Sequence, residues 1–182
     1  FSRESLERML PADRARRPEL GAGGGLTPTR LRRAYRREAV PVLRQAAWLA
    51  TLDVDERETF RQLGRRLAWE LVAHLDASDD ESRQQHLREA TALAAEYGRL
   101  GADLGLAMSD VVEGFLAFRR PFLAEVGAVA ARRGFATAEV TTLFEEAERA
   151  LDRLLIATMS GHRIRAGSPG SPGSPRRRDR QP

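Results

Sequence analysis

The chain has 182 residues, with 30 basic and 26 acidic side chains and a formal net charge of +4. That length suits one domain with tails, and the absence of cysteine excludes both a disulfide framework and a zinc-thiolate site. No apolar run approaches the ~20 residues of a membrane span and no signal-peptide pattern opens the chain, so a cytoplasmic location is expected.

Residues 1–10, FSRESLERML, read as a short helix, because Phe1, Leu6, Met9 and Leu10 recur at helical spacing. The first residue is Phe rather than Met, which leads us to expect a fragment or a processed chain. Pro11, Pro18 and the glycines at 21 and 23–25 then mark a linker over 11–26. Thr27 is a favourable N-cap with Pro28 at the first helical position, where a missing N–H costs nothing. The first helix of the bundle is expected to run from there to about Leu52, kinked at Pro41. A second follows Asp53 to about Leu75, with the apolar stripe Phe60, Leu63, Leu67, Leu71 and Leu75.

Ser78 with Glu81 three residues on reads as a capping box for a third helix. It turns Leu87, Ala90, Leu93, Ala94 and Tyr97 inward and is expected to end among Gly98, Gly101 and Gly105. Ser109 is the expected cap of a fourth helix, bent at Pro121 and closed by Gly134 at C′. It presents Val111, Phe115, Phe118, Phe122, Val126 and Val129. Thr137 is expected to cap a fifth, carrying Val140, Phe144, Ala147, Leu151, Leu154 and Leu155. No stretch alternates with period two. The fold class is therefore all-α: a five-helix antiparallel bundle over 27–163, with the internal prolines favouring a bent, globin-like version.

Residues 164–182 hold a GSPGSPGSP repeat and the cluster Arg176, Arg177, Arg178, Asp179, Arg180, and are expected to be a disordered tail. Four arginines and one aspartate give that cluster +3, so the bundle itself is near neutral and is no nucleic-acid platform in its own right. The tail is read either as a source of weak, salt-sensitive DNA affinity or as a passive, solubilising end. The chain has no lysine or asparagine, and GC-biased coding accounts for the arginine excess.

Little in the sequence carries chemistry. None of the three histidines, His74, His86 and His162, stands at a metal-ligand step from another, and His162 is placed past the last helix. No glycine-rich phosphate loop and no Ser-His-Asp set is present, so no catalytic residue, metal ligand or cofactor is expected. Two features have a functional reading beside a plain one. The seam Phe115, Phe118, Phe122 with Arg119 is core packing, or else part of an apolar effector pocket in which arginine orients an anion, together with Trp69 and Tyr97 and with Trp48 near them. The face Arg30, Arg32, Arg33, Arg36, Arg37, Arg44 is a solvated surface, or else a contact for DNA or an acidic partner.

The stretch LGADLGLAMSDVVEGFLAFRRPFLAEV (100–126) joins a glycine-ended helix through a short polar loop to a helix with an aromatic-Arg-Arg centre. It resembles the globin-like N-terminal sensory domain of stressosome RsbT co-antagonist proteins, over about 28–160. Residues 1–10, with Phe1 and Ser2 as a strand-to-helix junction, resemble the end of an excisionase- or MerR-like helix-turn-helix module. The resemblances imply a non-catalytic sensing or dimerising domain behind an upstream DNA-binding module, and they bring no site residues with them. The function expected is that of a bacterial transcriptional regulator's effector domain, homodimeric, binding a small molecule or partner. The alternative is a signalling scaffold that binds proteins without DNA.

Overall fold

A computed structural model describes Leu20 and residues 25–167. The helix expected over 1–10, most of the 11–26 linker and the tail beyond Gly167 lie outside the described residues. The described chain is helical throughout: α1 Pro28–Leu43, α2 Ala47–Thr51, α3 Val54–Asp76, α4 Asp80–Asp103, α5 Met108–Arg133 and α6 Thr137–Ala166. No strand occurs among the described residues, and none of their helices is long and apolar enough to cross a membrane.

The expected first helix is two. Thr27 accepts from the Arg30 N–H at 3.3 Å and Pro28 opens α1 as foreseen. After Pro41 the chain tightens: Gln45 N–H bonds Val42 O at 3.1 Å and Ala46 N–H bonds Leu43 O at 3.0 Å. These three-residue steps end α1, and a separate short α2 follows, with Trp48 inside it and Leu52 just past it both buried. Pro121, by contrast, lies buried inside an α5 that runs on to Arg133.

Helix starts follow one device more often than the sequence suggests. Asp53 and Glu56 form the reciprocal box of α3, at 2.8 and 2.7 Å. Ser78 and Glu81 do not form the expected box of α4; Asp79 caps it instead, accepting from Ser82 N–H at 2.7 Å. A carboxylate is the stronger acceptor at the positive end of a helix, and that bond holds the Asp79 carboxyl below its ordinary pKa. Ser109 and Thr137 likewise lie inside their helices rather than capping them. There the third residue, Asp110 or Glu139, reaches back to the N–H of Ala107 at 3.1 Å or of Ala136 at 2.7 Å. Gly134 does end α5 in the left-handed conformation, with φ 66°.

The bundle also begins earlier and ends later than expected. Leu20 and Leu26, inside the span read as linker, are fully buried, and Leu20 N–H bonds the Asp76 carboxylate. At the other end α6 continues to Ala166, so 164–166 are helix and His162 is inside it.

Sequence-adjacent long helices run antiparallel. Glu70 and His86 pair across α3 and α4, and Arg119 and Asp152 across α5 and α6. The most extensive pair, α4 with α6, is one helix removed and therefore parallel, as Arg83–Glu146 near one end and Asp103–Arg165 near the other show. Gly98 and Gly161 sit where these two helices come closest. A Cβ on Gly98 would lie 1.9 Å from Thr158 O, and one on Gly161 would lie 2.1 Å from Ala95 O. Gly98 and Gly101 thus do not end the helix, as expected, but let its backbone approach α6 and Val111.

The core has two parts. The larger runs from Leu63, Leu67, Leu71 and Leu75 through Leu93 and Ala94 to Phe122, Val126, Leu151 and Leu154. The smaller gathers Leu43, Trp48, Leu52, Phe60, Leu106 and Val111. Tyr97 and Leu100 touch both.

Candidate functional site

The six residues expected to line an effector pocket fall into three environments. Phe115 and Phe122 are 3% and 1% exposed, inside the larger core. Phe118 packs between them, with ring centroids 6.2 Å from Phe115 and 5.7 Å from Phe122. The rings therefore fill their own seam, each replacing the partner atoms that a ligand would otherwise supply. Tyr97 stacks edge-on against Phe60 at 4.8 Å, and burial, with Tyr35 nearby, pushes its hydroxyl well above the ordinary pKa. Arg119 turns outward to α6, 3.4 Å from Asp152 and 3.5 Å from Glu148. Trp69 is 52% exposed on α3, which packs chiefly on α4 and not on the helix carrying the phenylalanines. The structure brings the three phenylalanines together and leaves Trp69 and Arg119 on the surface.

Trp48, expected near the same cavity, packs in the smaller core beside Tyr97. Its Nε1–H donates to Glu113 at 3.0 Å, tying α2 to α5. Its ring lies over Gly114, where a Cβ would come 3.4 Å from it and 2.6 Å from the Tyr97 hydroxyl.

All three histidines join separate elements. His74 Nδ1–H donates to Arg83 O at 2.9 Å, fastening α3 to the first turn of α4. His86 Nδ1–H donates to Glu70 at 2.8 Å. His162, buried near the end of α6, donates from Nε2 to Leu106 O at 2.9 Å in the α4–α5 turn. Among the described residues no group of three or more His, Asp or Glu is placed to hold a metal ion.

Two shallow clefts open on the surface. One of about 300 Å³ lies between α3, α4 and the end of α6 and includes Glu96, Arg99, Asp103 and Arg165. The other, of about 230 Å³, includes His74, Arg83, Glu146, Arg149 and Arg153. Neither is lined by any of the six expected pocket residues. On α1, Arg32, Arg33, Arg36 and Arg44 are exposed. Arg30 and Arg37 are exposed as well, and each lies 3.9 Å from Glu125 of α5.

The feature that sequence reasoning missed is the outer side of α6. Ile156 is 66% exposed, Ile164 68% and Met159 39%. Leu116 of α5 is also exposed. Because α5 and α6 are antiparallel and Arg119 meets Asp152, Leu116, one turn before Arg119, stands level with Ile156, one turn after Asp152. The signal was present in the sequence: past Leu155, apolar residues appear on a second side of the helix. Single exposed apolar residues are ordinary, whereas several on one side of one helix make a candidate docking surface.

Comparison with protein-family models, with curated proteins and with solved structures finds no match to this chain.

Proposed function

We propose that this bundle is a non-catalytic sensory and oligomerisation domain of a bacterial transcriptional regulator, working in the cytoplasm. It pairs copies of the chain, binds a small effector or partner, and passes the change to an upstream helix-turn-helix module. The observation that supports this reading best is α6. It is the longest helix, seated on α4 through backbone contact at Gly98 and Gly161, and it turns Ile156, Met159 and Ile164 to solvent. A rigid helix pair with an apolar outer side suits a domain that works by docking. The regulatory setting comes from the two family resemblances, and Leu20 and Leu26 bear on the route of the signal. Both are anchored in the core, so a shift in the bundle displaces these two residues with it.

Native mass spectrometry of the chain, purified gently from a bacterial host, tests this. A dimer carrying added mass is the expected result. An empty monomer overturns the sensory and oligomerising reading in favour of a scaffold that binds other proteins.

A further inference from the structure

The outer side of α6 is not only apolar; its charges are arranged so that it matches itself. Asp152 and Arg163 bracket Ile156 and Met159, and all four project from the side of α6 that faces away from α4. The spacing 152, 156, 159, 163 is the four-three-four step of a helix–helix seam. The pairs 152/163 and 156/159 share one midpoint, between residues 157 and 158.

We propose that this face is a homodimer interface in which α6 packs antiparallel on α6 of a second copy, about a two-fold axis at that midpoint. This rests on the oligomerising reading above and specifies its surface and register. In this arrangement Ile156 of each copy meets Met159 of the other, twice. Asp152 of each meets Arg163 of the other, twice, about 16 Å apart along the helix at ~1.5 Å per residue. Leu116 of α5, level with Ile156, flanks the contact.

The occupant is argued from charge. A parallel pairing of two α6 helices would set Asp152 on Asp152 and Arg163 on Arg163, both repulsive. The antiparallel pairing turns both into attraction, and an isologous contact needs just such a self-matching patch. Arg119 does not compete away the pairing. It approaches Asp152 at 3.4 Å from the α5 side, and Asp152 is still 62% exposed.

The test is sedimentation by analytical ultracentrifugation of the full chain and of four variants, with circular dichroism to confirm folding. Ile156→Glu alters a side chain that touches no core, so its helix content is expected to be unchanged. The wild type is expected to be a dimer and Ile156→Glu to raise the dimer Kd at least about 100-fold. Asp152→Arg and Arg163→Asp are each expected to weaken the dimer roughly tenfold, and the double swap to recover most of that loss. A dimeric wild type that Ile156→Glu leaves intact overturns this interface while the oligomerising reading stands. A double swap no better than its single parents overturns the antiparallel register. A wild type that stays monomeric at about 100 μM overturns the interface and the oligomerising reading together.

Discussion

Replacing Gly98 by alanine is the sharpest perturbation this fold offers, because the same replacement at Gly64 should act in the opposite direction. At Gly98 the new methyl would sit 1.9 Å from Thr158 O, 2.8 Å from Thr158 C and 2.9 Å from His162 N. These are backbone atoms of a buried helix and cannot swing aside. Ordinary contact begins at 3.4 Å, so α4 and α6 must part by about 1.5 Å (3.4 less 1.9). A gap of 0.5–1 Å already forfeits a quarter to a half of each dispersion contact along a seam. This seam is the most extensive helix pair of the fold. Overpacking of this kind costs about 1–3 kcal/mol or more, against roughly 1 kcal/mol gained from alanine's helix propensity. With backbone as the obstacle the cost lies at the upper end of that range, so the net loss is expected to be about 2 kcal/mol, or a Tm lower by roughly 4–8 °C. Gly64, inside α3, has nothing within 4 Å of its would-be Cβ. There only the propensity gain remains, about 0.5–1 kcal/mol of added stability. Urea unfolding followed by circular dichroism measures both. A Gly98→Ala chain as stable as wild type, or as Gly64→Ala, would refute the close-crossing account of α4 and α6.

Three further outcomes are expected. Tyr97 has its pKa raised by burial, so the folded state keeps the proton while the unfolded chain loses it above about pH 10. The stability linked to Tyr97 is therefore fully present below pH 10 and declines as pH rises beyond it, by up to about 1.4 kcal/mol per pH unit. A Tyr97→Phe chain should show a shallower alkaline decline in urea titrations at pH 9–11, and an identical slope would count against the burial of this hydroxyl. Glu113→Ala removes the acceptor of Trp48 and is expected to cost about 1 kcal/mol. In a Trp69→Phe background, where Trp48 is the only tryptophan, the same change should shift its emission to the red. Arg119→Ala breaks two exposed pairs with Glu148 and Asp152 and should change stability by less than about 1 kcal/mol. A larger loss in urea unfolding would show Arg119 to be more than a surface tie.

The expectation of an effector pocket along α5 shows where sequence reasoning reached its end. Phe115, Phe118 and Phe122 were read correctly as one side of one helix, but periodicity does not say whether a gap or a neighbouring ring stands opposite. Here the rings meet one another, with Phe115 and Phe122 inside the larger core and Phe118 packed against it. Trp69 was grouped with them as an aromatic, yet it lies on the outward side of α3, one residue past the buried Ala68. Arg119 follows Phe118 directly, and on a helix adjacent residues diverge by about 100°, which carries it out to Asp152.

What the sequence determined by itself was local: an all-α chain, four of its long helices within a few residues, the caps at Thr27 and Asp53, and the left-handed turn at Gly134. Each of these depends on residues within about four positions of one another, through the helical period, a side chain reaching its own helix end, or the conformational freedom of glycine. The tertiary structure decided everything that needed two distant segments. It placed Gly98 and Gly161 at a crossing rather than at helix ends, and buried Leu20 and Leu26 in what reads as linker. It set His162 against Leu106 and left Ile156 and Met159 facing out beside a well-packed Leu154. The physical reason is the same in each case. A helix of this amphipathic kind can bury more than one side, and only the positions of its neighbours determine which apolar residues meet protein and which face solvent.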